Sequence, residues 1–193
     1  EVHFAFASTE SFNQRNQGVA TEESIAAWLD IAAAAQQAGI AVQVTVSAAF
    51  GCPFEGEVPV ARVVEIVQRV ADAHPFEIAL ADTIGVGVPA QVTELLSRVR
   101  EAVPGIPLRC HFHNTRNTGL ANAFAAVQAG VRTLDASLGG IGGCPFAPAA
   151  TGNIACVAQH GKAAVADAAF ARAAHVVSLE ILNQRLAPSP IEP

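Results

Sequence analysis

Short stretches of this chain alternate apolar and polar side chains with a period of two. Val42, Val44 and Val46 are interleaved with Gln43, Thr45 and Ser47. Leu108, Cys110 and Phe112 are interleaved with Arg109, His111 and His113, and Leu134, Ala136 and Leu138 with Thr133, Asp135 and Ser137. Period two is the strand period, so each stretch predicts a strand with one apolar and one polar face. Strand-like runs fall at about residues 2–8, 40–47, 76–82, 107–113 and 132–138. Helical patterns separate them. Thr21 reads as an N-cap, with Glu22 and Glu23 in the first turn and Gly39 ending the helix. Pro59 opens a second helix that runs to about His74, with Val60, Val63, Val64, Val67 and Val70 or Ala71 on one face. Pro89 opens a third, through Leu95, Leu96 and Val99 to Val103, and residues 119–129 form a fourth, closed by Gly130. Strand and helix in regular alternation predict a parallel α/β fold.

The two-faced strands narrow that class. In an open doubly wound sheet helices cover both faces, so central strands read as nearly continuous apolar runs. Here one face is polar although the strands are parallel. A closed (β/α)8 TIM barrel explains this, with helices outside and a polar site at the carboxyl ends of the strands. Ser47, Asp82, His113 and the loop after Ser137 lie at those ends. A full barrel takes about 250 residues. The sequence opens directly on the strand pattern Val2-His3-Phe4-Ala5-Phe6-Ala7 and holds no methionine. The expectation is an N-terminally truncated barrel of about five βα units over residues 1–155, with roughly three units preceding Glu1, and a helical, alanine-rich tail over 156–193.

Composition supports a packed, globular chain. Its 193 residues are 51% hydrophobic, and the mean hydropathy is +0.36, too apolar for a disordered protein. A net charge of −6 and an isoelectric point near 5.4 give no basic patch for nucleic acid. No apolar run reaches the roughly 20 residues of a membrane span. Cys52, Cys110, Cys144 and Cys156 form no CxxC pair, which fits a reduced, cytoplasmic protein.

Candidate chemistry gathers at the strand ends. His111 and His113 fall on one face of one strand, and two neighbouring imidazoles make half of a metal site; the alternative is a pair of ordinary hydrogen-bonded barrel residues. Asp82, in Asp82-Thr83-Ile84-Gly85-Val86-Gly87, can orient a ligand or a substrate hydroxyl, or can simply organise the turn. The loop Gly139-Gly140-Ile141-Gly142-Gly143-Cys144-Pro145-Phe146, followed by Thr151-Gly152-Asn153, brings a thiol and an amide. Its glycines permit close approach to a ligand, and Cys144 is either a proton donor and acceptor or an incidental cysteine of a surface turn. Cys52, in Phe50-Gly51-Cys52-Pro53-Phe54-Glu55-Gly56, reads as structural or pocket-lining, and Cys110 as packing.

These segments, in this order and spacing, resemble the 3-hydroxy-3-methylglutaryl-CoA (HMG-CoA) lyases, a family of metal-dependent TIM-barrel lyases with a pyruvate carboxyltransferase-like domain. The wider group includes isopropylmalate synthase. The resemblance covers about residues 1–155, and Gly142-Gly143-Cys144-Pro145-Phe146-Ala147 is its most discriminating motif. It implies a Mg²⁺ or Mn²⁺ ion held by His111, His113 and Asn153 together with an aspartate from the first barrel strand. It assigns proton transfer to His111 and loop acid/base work to Cys144; Asp82 stands as a further catalytic candidate on its place at the strand end. The implied reaction cleaves an HMG-CoA-like acyl-CoA thioester to acetyl-CoA and acetoacetate. The chain departs from the family in three places. The strand with the family's Arg-Asp pair is not in it. Asn114 stands where many members have Asp. After Asn153 the family continues Ala-Thr-Glu-Asp, where this chain reads Ala155-Cys156-Val157-Ala158 and the acidic pair is gone. Two other readings stay open: a related aldolase or acyl-CoA-condensing enzyme, and a non-catalytic fragment acting in assembly. An open barrel flank would favour a homo-oligomer.

Overall fold

A computed structural model describes residues 1–137 of the chain. Five strands, β1 (Val2–Ala7), β2 (Val42–Ser47), β3 (Glu77–Asp82), β4 (Leu108–Phe112) and β5 (Thr133–Leu134), form one sheet. They lie in chain order, and every neighbouring pair is parallel. Consecutive parallel order is that of a singly wound β/α barrel, because a doubly wound sheet reverses direction part-way across. The described residues are thus an arc of TIM-barrel wall.

The connecting helices are α1 (Glu10–Gln17), α2 (Thr21–Gln37), α3 (Val60–Ala71), α4 (Pro89–Ala102) and α5 (Gly119–Gln128). α2 packs on β1 and β2, α3 on β2, and α5 on β4, while successive helices pack on one another. The core lies in this layer. Val44, Val46, Ile78, Leu80, Cys110 and Phe112 of the strands are fully buried, as are Trp28, Val63, Ile66, Val70, Leu96 and Val99 of the helices. Trp28 donates its indole N–H to the Val70 carbonyl at 3.0 Å, tying α2 to α3. None of the described helices is long and apolar enough to cross a membrane.

The differences from the sequence-based expectation have physical causes. α1 lacks an apolar stripe; only Phe12 and Asn13 are buried, and Gly18 ends the helix in the left-handed region. Asn13 holds it from within, accepting from the Ala7 N–H at 2.9 Å and donating to the Ser24 hydroxyl at 2.7 Å. Thr21 is not the N-cap. It is the first residue of α2, and its N–H donates to the Glu10 carboxylate at 2.9 Å, so a side chain from α1 does the capping. α3 stops at Ala71 rather than His74, which sits at a positive φ of 48°. Among the described residues β5 spans Thr133–Leu134, shorter than the alternation suggested.

Candidate active site

Strand register decides which side chains meet on the polar face. Gln43 pairs with Glu77, Ala79 with Arg109, Ala81 with His111, and Arg109 with Thr133. On β3 this face carries Glu77 and then two alanines, and those small residues stand beside the two largest side chains of β4, Arg109 and His111. Asp135 follows β5 with its N–H on the Cys110 carbonyl at 3.1 Å, which continues the parallel ladder and gives Asp135 the same facing.

A buried ionic chain results. Arg109 Nε donates to Glu77 Oε2 at 2.6 Å, and Arg109 Nη1 donates to Asp135 Oδ1 at 3.1 Å. The other carboxylate oxygen, Asp135 Oδ2, lies 3.0 Å from His111 Nδ1. The Arg109 and Glu77 side chains are only 7% and 5% exposed, so their charges rely on each other rather than on water. Burial alone would raise the Asp135 pKa, but the His111 hydrogen bond and the charges of His111 and Arg109 outweigh it and hold the carboxyl below its ordinary value. Burial would likewise ease the proton off Arg109, yet Asp135 and Glu77 together keep its pKa above the ordinary value.

His111 and His113 come together as expected, with ring centroids 5.0 Å apart and planes inclined at 55°. His113 is buried, and its N–H donates to the Asp82 carbonyl at 3.3 Å, so the β3–β4 pairing runs to the end of the strands. Among the described residues, no three or more His, Cys, Asp and Glu groups converge into a metal cage. The pair offers two nitrogen donors, a chemically suitable half of a mixed nitrogen–oxygen site.

Asp82 has a different setting from that pair. In register it faces Phe112, which puts it on the helix-facing parity of β3. Its Oδ1 accepts from the Val86 N–H at 3.0 Å and its Oδ2 from the Gly87 N–H at 2.9 Å. The residue is fully buried, and that burial raises its pKa against the opposing pull of the loop amides and His111. This geometry is that of a turn organiser. Cys144 and Asn153 lie outside the described residues.

The rim around the histidines is tightly built. Thr83 Oγ1 accepts from the N–H of Ala48, a residue at a positive φ of 53°, which joins the loops after β2 and β3. Gln91 reaches the Phe50 carbonyl and Asn122 the Gly87 carbonyl. Asn114 accepts from the Gly119 N–H at 3.0 Å and so caps α5, a role its amide oxygen fills without the charge of an aspartate. Cys52 is buried, with its sulfur accepting from the Thr9 hydroxyl, and Cys110 is fully buried in the helix-facing layer with its thiol pKa pushed up by burial, as the structural readings of both expected.

Sequence reasoning placed Arg109 and Asp135 on the polar face but did not see that Glu77, Arg109 and Asp135 form one chain ending on His111. The available signal was charge at matching heights on adjacent strands.

Fold and site together define a singly wound β/α-barrel protein with a histidine pair at the carboxyl end of a strand. A family model described as HMGL-like matches residues 1–180, and the chain belongs to that family. It is 46% identical over 154 residues to the (R)-citramalyl-CoA lyase of Chloroflexus aurantiacus, covering 80% of this chain and 49% of that protein. It is 42% identical over 155 residues to the mitochondrial hydroxymethylglutaryl-CoA lyase of Homo sapiens, covering 80% and 48%. A solved HMG-CoA lyase from Acinetobacter baumannii, in complex with coenzyme A and 3-methylmalate, superposes with a TM-score of 0.75 at 38% identity, covering 79% of this chain and 50% of that one. The chain thus spans about half the length of the curated relatives it matches.

Proposed function

We propose that the protein carrying this chain is a divalent-metal-dependent carbon–carbon lyase acting on a 3-hydroxy-3-methylacyl-CoA thioester of the HMG-CoA or citramalyl-CoA kind. The observation that carries the reading is the His111–His113 pair at the strand end, in a chain 46% and 42% identical to lyases for those two compounds. Both compounds hold a tertiary alcohol at C3, a methyl group and a thioester; they differ by one methylene between C3 and the distal carboxylate.

His111 and His113 would hold the ion, with Asn153 as a third ligand. When bound, Mg²⁺ or Mn²⁺ supplies Lewis-acid stabilisation of negative charge developing on substrate oxygen. Removal of the C3 hydroxyl proton is assigned to His111. The C2–C3 bond then breaks, its electron pair passes into the thioester enolate, and C3 becomes a ketone. Protonation at C2, assigned to Cys144, yields acetyl-CoA. The second product is acetoacetate from HMG-CoA or pyruvate from citramalyl-CoA. Asp82 serves by fixing the turn beside His113 rather than by exchanging protons with substrate. A homo-oligomeric, cytoplasmic protein completes the proposal; Cys52 and Cys110, buried and outside any disulfide, fit a reducing compartment.

Calorimetric titration of Mn²⁺ into the 193-residue chain and its His113→Ala variant tests the site. The variant should bind at least about tenfold more weakly, since each imidazole is a direct ligand; equal affinity refutes the metal assignment. In a turnover assay of the protein, one pocket-matched methylene is worth about 1–3 kcal/mol. The kcat/KM ratio for the two thioesters therefore identifies the substrate, and release of acetyl-CoA from neither overturns the lyase reading.

A further inference from the structure

The ionic chain behind the histidine pair is more elaborate than packing requires. A barrel wall needs no buried charge, and an apolar layer of the same volume would be at least as stable. Here three charged groups are lined up across three strands, and the line ends on one ring nitrogen of one histidine.

We propose that Asp135, clamped by Arg109 and Glu77, is a positioning residue that fixes His111 as its Nδ1–H tautomer and thereby leaves Nε2 as its one lone-pair nitrogen, the one available to a metal ion. An ionised carboxylate only accepts hydrogen bonds. At 3.0 Å from Asp135 Oδ2, Nδ1 therefore carries the proton, because a bare Nδ1 would set two lone pairs against each other. The arrangement needs Asp135 to stay ionised, and Arg109 provides the adjacent positive charge. It also needs the guanidinium to stay in place. Glu77 takes the Nε donor at 2.6 Å while Asp135 takes Nη1, so the two carboxylates grip the planar fork from different edges. Ala79 and Ala81 leave the room on the face where Arg109 and His111 lie. Neutral imidazole has one donor and one acceptor nitrogen, and which is which is set by the partner of the other.

The consequence for a metal rests on the reading given above, but the tautomer does not. The test is long-range ¹H–¹⁵N correlation spectroscopy of histidine-labelled, chelator-treated 193-residue chain at a pH where imidazole is neutral. His111 should show a protonated Nδ1 and an unprotonated Nε2, and Asp135→Ala should shift it toward the Nε2–H form. Arg109→Lys keeps the charge but not the fork, and should give a mixture of the two. Mn²⁺ affinity, measured by electron paramagnetic resonance, should fall about 10–100-fold in Asp135→Ala. Asp135→Asn, which keeps an acceptor oxygen, should recover part of both signals. A wild-type His111 in the Nε2–H form overturns the proposal, as does a tautomer ratio unchanged in Asp135→Ala. Should Asp135→Ala fail to fold, the wild-type tautomer and the Asp135→Asn spectrum decide. If His113→Ala leaves Mn²⁺ binding untouched, the metal reading fails while the tautomer result stands by itself.

Discussion

Replacing Gly85 by alanine measures how tightly the histidine-bearing loop is built into the rim. Gly85 sits at a φ of +65°, and a Cβ there would lie 2.6 Å from Thr115 Oγ1, 2.8 Å from Thr115 N and 2.9 Å from the His113 carbonyl oxygen. Two of those three neighbours are backbone, so no rotamer change relieves the contact. The left-handed conformation costs a non-glycine residue roughly 1–2 kcal/mol. Overpacking against backbone adds about 1–3 kcal/mol, and the stiffer unfolded chain returns about 0.4–1 kcal/mol. The net loss is about 2–4 kcal/mol. Gly105 provides the control. Its φ is +87° but nothing lies within 4 Å of its Cβ position, so Gly105→Ala pays only the conformational part. That is about 1 kcal/mol or less after the unfolded-state gain. Urea unfolding should separate the two variants by about 2 kcal/mol, or about 1 M in midpoint at an m-value near 2 kcal/mol/M. The His113 ring signals should move in Gly85→Ala and stay put in Gly105→Ala. Equal midpoints for the two would refute the claim that the loops after β3 and β4 are in contact at Gly85.

Arg109→Met leaves Glu77 and Asp135 buried without their cation and should cost about 3–5 kcal/mol by urea unfolding; a loss under 1 kcal/mol would mean that the guanidinium is solvated. Asp82→Asn presents an amide N–H to a loop N–H and should lower the melting temperature at every pH. Because burial raises the Asp82 pKa in the fold, the native carboxyl contributes most below the ordinary carboxylate value of about 3.9 and loses that contribution as pH rises through its folded value. The melting-temperature gap between wild type and variant should therefore narrow from acid toward neutral pH, and a gap that widens contradicts the assignment.

The fold was legible where the chain obeys one dominant pattern. Val42, Val44 and Val46 against Gln43, Thr45 and Ser47 identified a two-faced parallel strand, and the observed strand order bears out the barrel. α1 was illegible because Glu10–Gln17 has no apolar stripe; its place is fixed by Asn13 hydrogen bonds to the Ala7 N–H, the Val19 carbonyl and the Ser24 hydroxyl, all tertiary. The Thr21 N-cap failed for a related reason, since the acceptor came from Glu10, eleven residues upstream. In the site, the facing of His111 and His113 followed from strand period alone. Asp82 was harder. Its position at a strand end suggested chemistry, while its parity, shared with Ile78 and Leu80, pointed it toward the helices. The Glu77–Arg109–Asp135 line depends on inter-strand register, which no single strand's pattern reveals.

The two faces of β4 divide labour within five residues. Leu108, Cys110 and Phe112 anchor the helix layer, while Arg109 and His111 belong to the ionic line. Adjacent positions in the chain therefore pack their side chains against separate sets of neighbours. Along the ionic line the reverse holds: Glu77 and Asp135 are fifty-eight positions apart in the chain and yet share one guanidinium. For variation under selection, sequence distance is a poor guide to which changes must travel together. The inward side chains share one set of contacts and the outward side chains another, so the side-chain environment of the strand ends and that of the helix layer are set by different residues.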